Sequence, residues 1–87
     1  MKEFKGKVAV ITGGAAGIGY AFAERAVHEG MKVVIADIRP DGLAEAKARL
    51  EAEGGEVLAV TTDVTKEEDV KALAQKTLDA FGKVNII

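Results

Sequence analysis

Residues 12–19 read Thr12-Gly13-Gly14-Ala15-Ala16-Gly17-Ile18-Gly19, placed after the apolar run from Val8 to Ile11 and before a stretch of helical period. Each glycine answers a physical need of a site for a bulky anion. Gly13 lets the chain leave a strand in a tight turn. Gly17, without a Cβ, leaves room for phosphate to approach the backbone, and Gly19 allows close packing of the following helix on the sheet. The free N–H groups near Ile18 then point at the anion, and the helix dipole adds about 0.3–1 kcal/mol, up to ~2 when partly buried. The expected ligand is the pyrophosphate of a dinucleotide, held along Gly13, Gly14, Ala15, Ala16, Gly17, Ile18 and Gly19. A tight strand-to-helix turn needs glycine for geometry alone. Binding is favoured because the motif sits at the joint of a βαβ unit and an acidic residue ends the second strand. A P-loop is excluded, since no Gly-Lys-Ser/Thr follows.

That acid is Asp37, eighteen positions after Gly19. A carboxylate at the carboxyl end of a second strand can accept both hydroxyls of an adenosine ribose and repels a 2′-phosphate. Ile38 beside it is taken as a further cofactor-contacting position. Arg39 complicates the choice, because a guanidinium could pair with a 2′-phosphate. NAD is the expected cofactor, on the grounds that Asp37 holds the strand end while Arg39, directly before Pro40, is expected to turn outward.

The elements that must position these residues follow from periodicity. Val8 to Ile11, Val33 to Ala36 and Val57 to Val60 read as strands, nearly continuous in apolar residues as expected for parallel strands covered on both faces. The first helix is expected over Ile18–Glu29, with Ile18, Ala21, Phe22 and Ala26 toward one side and Gly30 as stop. The second starts at Pro40, carries Leu43, Ala46 and Leu50 inward, and ends at Gly54-Gly55. In the third, Thr65 and Glu68 are spaced as a capping box. Val70, Leu73, Ala74, Thr77, Leu78 and Phe81 form one face, closed by Gly82. Val84-Asn85-Ile86-Ile87 reads as a fourth strand just beginning. The expected fold is α/β, a Rossmann-type doubly wound parallel sheet, truncated, running β-α-β-α-β-α-β with strand order 3-2-1-4. Residues 1–87 are expected to be a single dinucleotide-binding half-domain, incomplete at its C-terminal end.

Composition narrows the function further. The 87 residues suffice for one small domain that buries about 60% of its unfolded surface. Fourteen acidic and twelve basic residues give a net charge of −2, and the basic ones are scattered, unlike a nucleic-acid footprint. Cysteine is absent, which removes disulfides, thiolate metal sites and thiol catalysis. No apolar run has the length of a signal peptide or membrane span, and a cytoplasmic location is expected. No His/Asp/Glu cluster stands at ligand spacing, so no metal is expected. His28 is the sole histidine and is expected to be solvated or paired with the helix end.

Taken together, these residues resemble the short-chain dehydrogenase/reductase family in its NAD-preferring form. The family's Thr-Gly-x-x-x-Gly-Ile-Gly is matched from Thr12 to Gly19, and its strand-two acid by Asp37. Its Asp-Val pair after strand three is matched by Asp63-Val64. There the resemblance implies an aspartate on the adenine amino group and a valine amide on the ring nitrogen. On residues alone, Asp63 reads as a turn former ahead of Thr65, and the two roles are compatible. The resemblance implies hydride transfer between NAD and an alcohol or ketone in a longer parent.

The family's Asn-Asn-Ala-Gly segment should follow Ile87. Its catalytic serine, Tyr-x-x-x-Lys pair and helical asparagine would lie further on, so this chain alone is expected to be inactive. Tyr20 has Glu24, not lysine, four positions later, and reads as a packing or surface residue. A non-catalytic nucleotide-binding module and a purely structural half-domain are the alternatives. A methyltransferase fits the glycine spacing less well. With one sheet face covered by a single helix, self-association is expected.

Overall fold

The computed structural model describes residues 5–83 of the chain. Three strands, β1 (Val8–Thr12), β2 (Lys32–Asp37) and β3 (Glu56–Thr61), alternate with three helices, α1 (Gly17–His28), α2 (Pro40–Ala52) and α3 (Glu67–Phe81). The strands are parallel, with β2 between β1 and β3. Val10, Val34 and Leu58 stand side by side in the register, so all three strands end at the same edge of the sheet. The sheet thus has the 3-2-1 part of the expected order. The fourth strand, and with it the final place in 3-2-1-4, lies outside the described residues.

Alternation along each strand splits the core in two. Ala9, Val33, Ile35 and Val57 meet Ala23, Ala26 and Val27 of α1 and Leu43, Ala46 and Leu50 of α2. On the opposite face Val8, Val10, Val34, Ala36 and Val60 meet Leu73 of α3, with Leu58 and Phe81 partly buried beside them. Two helices on one face and one on the other is the layering that the sequence pattern predicts. β2 is the most enclosed strand, buried from Val33 to Asp37, because it has neighbours on both edges and helices on both faces. Among the described residues no helix is long and apolar enough to cross a membrane.

Three local expectations are overturned. In α1 the inward residues are Ala23, Ala26 and Val27. Ile18 and Phe22 face outward, 78% and 64% exposed, and Ala21 is exposed as well. The cause is distance. The glycine turn draws the start of α1 tightly onto its own backbone and β2, and close helix–sheet packing selects the small alanine face over the bulky one. The apolar face of α3 is also narrower than its period suggests, with only Leu73 and Thr77 buried.

The third correction concerns the start of α3. Thr65 does not cap it, because its hydroxyl and its N–H both donate to Asp63 Oδ1, at 2.6 and 2.9 Å. The helix begins one residue later, after Lys66, and Asp69 rather than Glu68 reaches back, accepting the Asp63 N–H at 2.9 Å. An ionised carboxylate two residues upstream is a stronger acceptor for Thr65 than the helix can offer a donor, so the Asx turn wins. Pro40 opens α2, and Gly82 closes α3 in the left-handed conformation, as the sequence indicates.

Leu50 is fully enclosed between α1, α2 and the sheet. Leu50→Ala is expected to destabilise the fold by about 2–5 kcal/mol, from lost transfer energy plus a cavity. The half-exposed Leu78→Ala should cost far less. Urea unfolding of the two variants checks the contrast.

Candidate functional site

The turn between β1 and α1 is built against the end of β2. Gly13 and Gly14 donate their N–H groups to the Ala36 carbonyl at 2.7 and 3.3 Å. Gly13 and Gly17 have φ of 69° and 61°, a region that side chains disfavour, and a Cβ on either would meet nothing within 4 Å. Gly17 therefore leaves open space before the helix. Gly14 and Gly19 serve a different end. A Cβ on Gly14 would lie 2.7 Å from Ile35 Cγ2, and one on Gly19 would strike the Gly13 carbonyl oxygen. The close approach at Gly19 is thus to its own turn rather than to a strand, and the packing role of Gly14 against β2 was not legible in the motif.

α1 starts without any capping side chain at Ala16 and without an acidic residue in its first turn. α2 has Asp41 in that turn, and α3 has Glu67, Glu68 and Asp69. Among the described helices, α1 alone leaves its positive end uncompensated, which is the electrostatic requirement for holding an anion.

Asp37 ends β2 with its side chain only 6% exposed. Its carboxylate accepts the Ala15 N–H on Oδ2 at 3.3 Å and the Arg39 N–H on Oδ1 at 3.1 Å. The Arg39 guanidinium adds Nε to Oδ1 and Nη2 to Oδ2, both at 3.2 Å. Arg39 therefore does not turn outward. The backbone bond from its own N–H folds the chain back at residue 39, and that brings the guanidinium onto the carboxylate. Arg39 first, then the two backbone N–H groups, holds the Asp37 carboxyl below the usual aspartate range, against the opposing effect of burial.

An open cavity of about 330 Å³ lies at the carboxyl edge of the sheet, lined by Thr12, Gly13, Ala36, Asp37, Ile38, Thr62, Asp63 and Val64. Crevices of this kind, outside the strand ends, are where open α/β sheets take ligands. The fold brings Gly13, Asp37, Ile38, Asp63 and Val64 together there, and Ala15 joins them through its bond to Asp37. Gly14, Ala16, Gly17, Ile18 and Gly19 are not among the lining residues; they form the turn and the helix start. Thr12 and Thr62 were missed by sequence reasoning. Thr62 is buried, donates its N–H to the Asp37 carbonyl at 2.8 Å and its hydroxyl to the Val60 carbonyl, and so ties the end of β3 to the end of β2. The only signal for it is a threonine just past an apolar strand.

Asp63 is occupied as a turn former, and its bonds from Thr65 lower its pKa. Tyr20 packs against the α1–α2 core with Arg49 stacked 4.7 Å from its ring centroid. Its hydroxyl is buried without a hydrogen-bond partner, and desolvation pushes its pKa up, the reverse of what a tyrosine base requires. The fold also makes a cluster that the sequence reading did not find. Glu24 and His28, one helical turn apart, meet Glu53 from beyond α2, their ligand atoms lying within 4.8 Å of one another. His28 Nε2 and Glu53 Oε1 share a hydrogen bond of 2.6 Å that clips the end of α1 to the end of α2.

Residues 7–87 match the family model described as short chain dehydrogenase. A crystal structure of a short chain dehydrogenase/reductase from Burkholderia phymatum in complex with NAD superposes with a TM-score of 0.95 at 50% identity, covering 99% of this chain and 31% of that one. L-sorbose reductase from Gluconobacter frateurii, complexed with NADPH and L-sorbose, gives 0.91 at 39% identity, covering 94% and 32%. Among curated proteins, the CLA biosynthesis dehydrogenase/reductase of Lactiplantibacillus plantarum is 41% identical over all 87 residues, which is 30% of its own length. The chain thus spans about a third of the length of these relatives.

A carboxyl whose pKa is lowered in the folded state stabilises the fold above the pKa it has when unfolded, about 3.9 for aspartate, and that contribution is lost as pH falls through the lower folded value. Wild-type stability is therefore expected to fall in parallel with that of Asp37→Asn down to about pH 5, and to drop more steeply than the variant as pH falls through about 4 and below. Urea midpoints across that range measure the difference.

Proposed function

We propose, since this chain belongs to the short chain dehydrogenase family, that its residues form the NAD-binding part of an oxidoreductase acting between an alcohol and a ketone. When bound, the cofactor's nicotinamide supplies the hydride chemistry. The described residues bind and orient the rest of the dinucleotide. The pyrophosphate lies against the uncapped start of α1, over the open space at Gly17. Asp37 accepts the adenosine ribose hydroxyls. Ile38 and the Asp63–Val64 segment border the adenine, as lining residues of the same cavity.

The observation that carries this reading is the bond from Ala15 N–H to Asp37 Oδ2, which fixes the distance between the phosphate turn and the ribose acceptor. Anion donors at one end and a carboxylate able to accept a diol at the other are the groups that a nicotinamide dinucleotide requires. The carboxylate supports NAD over NADP, because an ionised acid beside a 2′-phosphate is repulsive. The solved relatives named above carry one or the other cofactor. The alcohol or ketone substrate and the oxidoreductase activity of the whole protein are part of this proposal, drawn from the family.

Calorimetric titration is expected to give measurable NAD binding, lost or weakened at least tenfold in Asp37→Ala, the loss of two hydrogen bonds to a charged acceptor. Equal NAD affinity in both proteins would remove Asp37 from the ribose site.

Self-association is a second part of the proposal. It rests on Ile18 and Phe22, which α1 presents to solvent on consecutive turns. Light scattering is expected to show a mass above the monomer at high concentration, reduced by Phe22→Ser. A clean monomer throughout the concentration range rejects it.

A further inference from the structure

Gly42 lies in the first turn of α2, an element that glycine weakens relative to alanine. It is not among the glycines with positive φ, so its backbone conformation does not call for glycine. What it supplies is the missing side chain. A Cβ at position 42 would lie 3.2 Å from Ala15 Cβ and 3.9 Å from Arg39 Cβ. These are the two residues whose backbone N–H groups bond to the Asp37 carboxylate, Ala15 to Oδ2 and Arg39 to Oδ1.

From this convergence, and resting on the dinucleotide reading above, we infer that Gly42 is a positioning residue for the cofactor site. Its bare backbone lets the start of α2 close on the β1–α1 turn, so that the two hold the Asp37 carboxylate between them. Gly42 does not line the cavity and acts through its neighbours. The distances decide which neighbour would yield to a side chain. Carbons in contact rest about 3.5–4.0 Å apart, so the Arg39 distance is ordinary and the Ala15 distance is short by a few tenths of an ångström. α2 is anchored in the core by Leu43, Ala46 and Leu50, whereas Ala15 belongs to a turn, so Ala15 moves. Its N–H bond to Oδ2 is 3.3 Å long, already past the usual bound of about 3.2 Å, and has no slack for such a shift. Ala15 directly precedes the N-cap of α1, so its displacement also moves the anion-facing helix start relative to the ribose acceptor.

The test compares the wild-type protein with Gly42→Ala, Ala15→Gly and the double variant. Helix propensity by itself makes Gly42→Ala neutral or stabilising in urea and leaves the site alone. The positioning role predicts instead that the Ala15 amide resonance of the unliganded Gly42→Ala protein moves, and that its NAD affinity by calorimetry falls about tenfold. In the double variant no Cβ at residue 15 faces the new methyl group. Its residue-15 amide and its NAD affinity are expected to return to those of Ala15→Gly alone. An Ala15 amide that stays in place in Gly42→Ala, an NAD affinity unchanged within about twofold, or a loss that persists in the double variant overturns the role of Gly42. A wild-type protein that binds no NAD rejects the dinucleotide reading and the cofactor role with it. The amide shift, read without ligand, then still reports whether Gly42 sets the place of Ala15.

Discussion

The close approach of the β1–α1 turn to the end of β2 is the constraint on which the rest of this molecule depends. Gly13 and Gly14 both bond to the Ala36 carbonyl, and Gly14 sits against Ile35 where a side chain would not fit. That contact fixes where α1 begins. It places Ala15 within hydrogen-bond distance of Asp37, and it pulls the helix onto the sheet through its alanines. A larger residue in the turn would move the helix start, the carboxylate partner and the buried face of α1 together.

Around this contact the sheet acts as a ruler. Parallel pairing in register brings the ends of β1, β2 and β3 to one edge, so Thr12, Asp37 and Thr62 border one cavity although they are far apart in sequence. The bond from Thr62 N–H to the Asp37 carbonyl continues the strand pairing one step past β3 and keeps that edge closed. Rigid strands thereby hold an acidic group that is deeply enclosed on one side and open to a crevice on the other. Burial alone would favour the protonated acid; the three surrounding groups reverse that and keep the carboxylate ionised.

Polar side chains at the loops compete for acceptors, and the outcome of that competition shapes the surface more than helix propensity does. Asp63 takes both donors of Thr65, so α3 starts later and is closed by Asp69 instead. Arg39 is bound to Asp37 along one edge of its guanidinium, although its side chain stays 61% exposed. His28 and Glu53 join the far ends of α1 and α2, which stand apart from the cavity. In each case an ionised carboxylate collects the nearest available donors, because charge-assisted bonds are roughly twice as strong as neutral ones.

The sequence by itself determined the order of elements, the three strands, the inward face of α2, the glycine turn and Asp37 as the acid at the strand end. These depend on local periodicity and on residue types whose backbone behaviour is intrinsic, such as glycine at positive φ and proline in a first helical turn. Only the tertiary structure decided which side of α1 is buried, because Ile18 and Phe22 on one side and Ala23, Ala26 and Val27 on the other are all apolar and the choice depends on how near the sheet lies. It alone decided that Arg39 folds onto Asp37, that Thr65 serves Asp63, and that Glu24, His28 and Glu53 meet. Those outcomes depend on distances between groups and on rival acceptors, which residue order along a chain does not encode.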